Sequence, residues 1–147
     1  MEKREIGILT LHRALNYGAV LQCWALKKVC ESLGYKVETI DYNPYGHYSV
    51  RDALRHKPLV AYSYIMLMRQ FNRFVSERLN PTTHTESHDW IKDNPPQDDI
   101  YIVGSDQVWA NAVSGDYFDS YLLDFCPPKC ETYSLRGIYR WKPYGIK

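Results

Sequence analysis

The chain opens on a short apolar block. Residues 5–11 read Glu-Ile-Gly-Ile-Leu-Thr-Leu, which is the pattern of a buried strand. Residues 12–18 break it with polar side chains and close on Asn16-Tyr17-Gly18. From Ala19 the spacing turns helical. Ala19, Cys23, Leu26, Cys30 and Leu33 step by four, three, four and three, and Val20 and Trp24 widen the stripe. Lys27, Lys28 and Glu31 fall off it. Gly34 stands where a helix-ending glycine belongs. Residues 35–42 then alternate as a strand does. Strand, helix and strand in this order predict a βαβ unit with parallel strands and a right-handed crossover.

The middle of the chain is less regular. Asn43-Pro44 and Gly46 mark a loop. Pro58 is a helix opener, and Val60, Tyr64, Leu67, Phe71 and Phe74, with Ala61, Met68 and Val75, give an apolar face up to Leu79. Asn80-Pro81 stops it. Residues 87–92 read as a short helix, followed by a break at Asn94-Pro95-Pro96. Residues 99–104, Asp-Ile-Tyr-Ile-Val-Gly, form the clearest strand of all. Ser105-Asp106-Gln107-Val108-Trp109 follows at once, where open α/β sheets place their ligands. The expected architecture is therefore α/β, with parallel strands at 6–11, 37–42 and 100–104 and the helix at 19–33 packed on them. The turns at 16–18 and 105–109 are expected to leave the same sheet edge.

Composition narrows the function. A chain of 147 residues, 45% apolar and 24% charged, fits one globular domain. Eighteen basic against seventeen acidic residues exclude a wholly basic, nucleic-acid-coating surface. No apolar run is long enough to span a membrane. The N-terminus passes from Met-Glu-Lys-Arg-Glu straight into the strand pattern without a signal peptide's apolar region, so a cytoplasmic location is expected. Cys23 and Cys30 share one helix face, and Cys126 and Cys130 flank a Pro-Pro-Lys spacer. Neither pair has the short hooks of a four-thiolate zinc site, so all four read as structural thiols and no metal is expected.

Two segments carry a family resemblance. Ile6-Gly-Ile-Leu-Thr-Leu-His-Arg-Ala-Leu-Asn16-Tyr17-Gly18-Ala19-Val20-Leu21-Gln22 resembles the opening of the polysaccharide pyruvyl transferase family, and residues 34–42 resemble its second strand. Gly104-Ser105-Asp106-Gln107-Val108-Trp109 resembles its signature, and Tyr121-Leu-Leu-Asp-Phe125 the segment after it. The resemblance implies a Rossmann-like parallel sheet flanked by helices, similar to the amino-terminal half of a glycosyltransferase-B-like enzyme. It also implies transfer of pyruvate from phosphoenolpyruvate to a cell-surface polysaccharide sugar as a ketal. The donor is then a substrate and no cofactor is implied. The acceptor would be a glycan or a lipid-linked sugar, with peripheral membrane contact as a further expectation. Residues 1–125 read as the Rossmann-like domain and 126–147 as a divergent or out-of-frame tail, with the second half of a whole family member missing. The parallel sheet is expected to stop at its third strand. On that reading the 147-residue product is inactive in pyruvyl transfer and self-associates.

Ketal formation needs cationic or N–H groups for the donor's carboxylate and phosphate, and an acid or base near the reacting atoms. Asp106, in a glycine-led turn after a buried strand, is the catalytic candidate; its alternative is to cap its own turn. Asn16, Tyr17 and Gly18 begin a helix, where N–H groups and the helix dipole favour an anion; the alternative is an ordinary N-cap. Arg13 would pair a phosphate or carboxylate, or else belongs to a solvated loop, as His12 does. Trp109 and Tyr17 offer flat faces to a sugar, and Tyr45 and Tyr48 are further loop aromatics. Ser105 and Gln107 join the substrate-binding set through the signature. His84 and His88 read as surface residues, and His47 and His56 lie in polar stretches. Two other readings share these residues: a non-catalytic module binding a sugar or nucleotide-sugar, and a fragment without function of its own.

Overall fold

The structure, a computed structural model, describes residues 3–13, 16–44, 58–82, 84, 85, 87–104, 108, 118–135, 139 and 140. Strand β1 (Glu5–Leu9) leads to helix α1 (Tyr17–Ser32) and strand β2 (Lys36–Thr39). Helix α2 (Pro58–Phe74) continues into a π-helical turn (Val75–Leu79). Then come α3 (His88–Asp93), β3 (Ile100–Val103), α4 (Phe118–Tyr121), β4 (Glu131–Ser134) and β5 (Tyr139–Arg140). The strands form one sheet in the order β2-β1-β3-β4-β5. Strands β1 to β4 are parallel to their neighbours, and β5 is antiparallel to β4.

Period-two alternation sorts the side chains onto the two faces. Ile6, Ile8, Val37 and Ile100 meet Val20, Cys23, Cys30, Phe71, Val75 and Leu79 of α1 and the α2 region. Leu9, Ile40, Tyr101 and Val103 point the other way, to Ile91, Tyr121, Leu123 and Phe125. Two edge-to-face ring pairs, Tyr42–Tyr121 and Tyr101–Phe125, tie that second layer together. Asn80, in the left-handed region (φ 49°), ends the helical segment before Pro81. Gly34, at φ 94°, ends α1 as expected.

Three expectations are corrected. Lys27 lies on the buried stripe of α1, because its Nζ donates to the Val37 carbonyl at 2.8 Å and meets Glu31 Oε1 at 3.2 Å. Leu33 is exposed, because the helix has ended there and the chain is already turning at Gly34. The parallel sheet runs on past the third strand: β4 pairs with β3 from Ile100↔Glu131 to Val103↔Ser134. Strands β1 and β2 are also shorter than predicted, although residues 10–12 and 40–44 stay buried beyond them.

All four cysteines are free. Burial pushes the Cys23 thiol up to about 12, which keeps it inert. Cys126 and Cys130 are half-buried against the second layer. No helix among the described residues is long and apolar enough to cross a membrane.

Gly7 is set by close approach. A β-carbon there would lie 2.4 Å from Asp98 Oδ2 and 3.1 Å from Ile40 Cδ1. Gly7→Ala is expected to destabilise the fold by about 1–3 kcal/mol through overpacking, although alanine favours strands over glycine. Urea unfolding checks this, and an unchanged midpoint would show that Asp98 moves aside freely.

Candidate functional site

Parallel strands release their following loops on one edge of the sheet. At that edge the structure gathers four charged or titratable side chains from three segments. Asp41, just past β2, is the hub and is buried. Its Oδ1 accepts from Arg13 Nε at 2.7 Å and faces His12 Nε2 at 3.0 Å. Its Oδ2 accepts from Arg13 Nη2 and faces His84 Nδ1 at 3.3 Å. Arg13 therefore holds the carboxylate with both arms of its fork, the strongest arrangement open to this pair.

The hub's backbone is fixed as well. Asp41 N donates to Thr82 Oγ1 at 3.3 Å, and Thr85 N donates to the Asp41 carbonyl at 2.9 Å. Burial by itself would push the Asp41 carboxyl up. The hydrogen bonds from His12 and Arg13 outweigh it and hold the group well below the usual carboxylate range. His12 is fully buried. Its Nδ1 faces the Thr10 carbonyl at 3.1 Å while Nε2 faces Asp41, so the ring satisfies both acceptors only when it carries two protons.

The solvated-loop reading of His12 and Arg13 is thus corrected: His12 is core, and Arg13 is partly buried and paired. His84 is exposed, in keeping with its surface reading, whereas His88 is half-buried, which corrects the same reading there. His84 reaches Asp41, and His88 Nδ1 lies 2.6 Å from Ser120 Oγ. His47, His56, Tyr45 and Tyr48 lie outside the described residues.

Asn16 is the N-cap of α1, with extended backbone, and its Oδ1 accepts from Ala19 N at 3.3 Å. Gly18 sits over that cap, where a β-carbon would lie 3.1 Å from Asn16 Oδ1. Tyr17 is exposed and meets Phe71 edge to face, with ring centroids 6.1 Å apart. Of the signature turn, Gly104 and Val108 are described; Ser105, Asp106, Gln107 and Trp109 lie outside the described residues. Gly104 N donates to the Leu9 carbonyl at 2.9 Å, so the signature turn leaves the sheet beside the end of β1.

Sequence reasoning missed Asp41, misjudged His12, and gave the exposed His84 no part in the cluster. One signal was available for Asp41. It is a charged residue at the end of an alternating strand, and pairing from Glu5↔Lys36 to Ile8↔Thr39 carries that end to the side where His12 and Arg13 emerge. Among the described residues, no group of three or more His, Cys, Asp and Glu side chains is placed to hold a metal ion.

Residues 16–134 match the family model described as polysaccharide pyruvyl transferase. The match runs past residue 125 and takes in β4. No curated protein matches the chain, and no solved structure does.

Proposed function

The chain belongs to the polysaccharide pyruvyl transferase family, and on that premise we propose that its carboxyl edge is the amino-terminal wall of a site that moves pyruvate from phosphoenolpyruvate to a sugar of a cell-surface polysaccharide. In this reaction one sugar hydroxyl proton goes to the donor's methylene carbon. Two sugar oxygens bond to the neighbouring carbon, and inorganic phosphate leaves with the second proton. The product is a ketal that keeps the carboxylate.

One observation carries the reading. Arg13 is fixed by Asp41 at the sheet's carboxyl edge, three residues before Asn16, the N-cap of α1. A guanidinium held by its own carboxylate is preorganised for an anion, and the first turn of a helix adds N–H groups of the same polarity. Arg13, Asn16, Tyr17 and Gly18 would receive the donor's phosphate or carboxylate. Ser105, Gln107 and Trp109 would complete the pocket, and Asp106 would act as general acid or base. In a protein carrying this unit with the second α/β half that the family resemblance implies, further anion-binding charge would come from that half. A site on a soluble face is reached from the cytoplasm, with the lipid-linked acceptor met at the membrane surface.

The test uses a full-length relative with the same residues. Asp106→Asn is expected to reduce turnover of phosphoenolpyruvate with a sugar acceptor on the order of a hundredfold or more, with little loss of stability. Arg13→Gln is expected to weaken donor binding about tenfold. Phosphate release, followed with and without acceptor, measures both. Near-normal rates in Asp106→Asn would return that residue to a turn-capping role.

A further inference from the structure

A second concavity lies on the sheet face that carries α3. Between β2 and α3 is an open cavity of about 400 Å³, within the size range of small-ligand sites. Ile40 and Ile91 give it an apolar floor. Trp90 forms one wall and stays 42% exposed, although a tryptophan at this position could gain by deeper burial. The indole is carried by an anchored helix. Trp90 N donates to Ser87 Oγ at 3.2 Å, Asn94 Nδ2 donates to the Trp90 carbonyl at 3.0 Å, and Lys92 pairs with Asp124 at 3.0 Å.

The rest of the lining is polar but has little charge to offer. Glu38, Asn94 and Thr82 face the cavity, and among the described residues that line it none is Lys, Arg or His. An anion therefore finds no counter-charge. Glu38 is the one acid among the described lining residues. Burial pushes its carboxyl up, a hydrogen bond with Asp98 pulls it back down, and its oxygens can accept from a sugar hydroxyl. A flat aromatic wall, an apolar floor, a carboxyl and an amide, with no cationic partner among the described lining residues, match one ligand class.

We propose that this cavity binds an uncharged sugar ring, with Trp90 stacking on its C–H face and Glu38 and Asn94 bonding its hydroxyls. The proposal rests on the cavity's own residues and not on the assignment of the Arg13 edge. The two sites are nonetheless neighbours. Thr82 and Thr85 line the cavity and also bond the Asp41 backbone, so a ring seated here lies beside the hub.

The test is a titration of the 147-residue chain with the methyl glycosides of glucose, galactose, mannose and N-acetylglucosamine, and with choline as a cationic control. Binding is read from the Trp90 indole N–H signal in proton–nitrogen spectra and from saturation transfer to the ligand. At least one glycoside is expected to bind with a millimolar Kd. Trp90→Ala should weaken it about tenfold or more, and Trp90→Phe should retain most of it. Lys28→Gln, at an exposed position of α1 on the other face of the sheet, should leave it unchanged, which shows that the losses in the cavity variants are local. Circular dichroism checks that Trp90→Ala is folded; if it is not, Asn94→Ala and Glu38→Gln are expected to show the loss instead. Failure of every glycoside to bind, preference for choline, undiminished binding in the folded cavity variants, or loss of binding in Lys28→Gln would each overturn the proposal.

Discussion

Asp41→Ala is expected to destabilise the protein by about 3–5 kcal/mol, the range for removing one partner of a buried ion pair. Among the described residues, the carboxylate is the sole anion paired with Arg13, His12 and His84 in this cluster. Arg13 is partly exposed and could turn to solvent, but His12 is enclosed and would keep a ring nitrogen facing an empty space. Asp41→Asn keeps the shape and isolates the charge, and should recover only a part of the loss. The effect also has a pH signature. A carboxyl whose folded value is depressed adds stability that is present above its unfolded value of 3.8 and is lost as pH falls below it. Wild-type stability should therefore drop steeply on acidification below about pH 4, and Asp41→Ala should drop less. Urea unfolding at neutral pH and near pH 3 measures both effects. A loss below about 1 kcal/mol at neutral pH would show that the cluster relaxes around the missing carboxylate.

The opposite edge of the sheet predicts the opposite pH dependence. Asp98, over Gly7, is pushed up to about 8, first by burial and then by Glu38, Glu5 and Asp99 around it. A folded value above the unfolded one means stability that is complete in acid and falls as pH rises through the folded value. With one proton at stake, the fall approaches 1.4 kcal/mol per pH unit, or about 4 kcal/mol between pH 5 and 8. Lys36 pairs with Glu5 nearby at 2.6 Å, but it is exposed and does not neutralise the enclosed carboxyl. Asp98→Asn, which mimics the protonated form, is expected to flatten the slope and to be the more stable protein above pH 8. Thermal unfolding across this range decides it: a slope that persists in Asp98→Asn would assign the proton to another group. The two edges together predict a stability maximum on the acid side of neutrality.

Much of the sheet was legible because short-range periodicity encodes it. The blocks at 5–11, 35–42 and 99–104 alternate or stay apolar, and the stripe from Ala19 to Cys30 separates them as a crossover helix must. The π-helical turn was not legible, since Val75 and Leu79 satisfy an ordinary helical period. Strand β4 was missed because Glu131-Thr-Tyr-Ser134 is polar. Its place is fixed by backbone pairing with Ile100–Val103, with only Thr132 buried among its own side chains. The carboxylate cluster was hidden for a different reason. His12, Arg13, Asp41 and His84 are remote in sequence, and their meeting depends on strand register and on residues 82–85 running beside β2. Periodicity reports which face a residue takes, but not which distant residue faces it.

Helix α1 shows what such long-range fixing does for a helix that could dock in several ways. Its apolar residues are spread round the axis: Leu21 and Val29 stay exposed, while Val20, Cys23 and Cys30 are buried. Hydrophobicity alone therefore sets the rotation of the cylinder about its axis only weakly. Lys27 removes the ambiguity. Its ammonium needs an oxygen, and the Val37 carbonyl meets that need at one rotational phase. Turning the helix by a single residue position, about 100°, would leave the ammonium enclosed without that oxygen and the carbonyl without its donor. One polar atom thus indexes the helix against the sheet, and with it the bearing from which Asn16 and Gly18 look over the carboxyl edge.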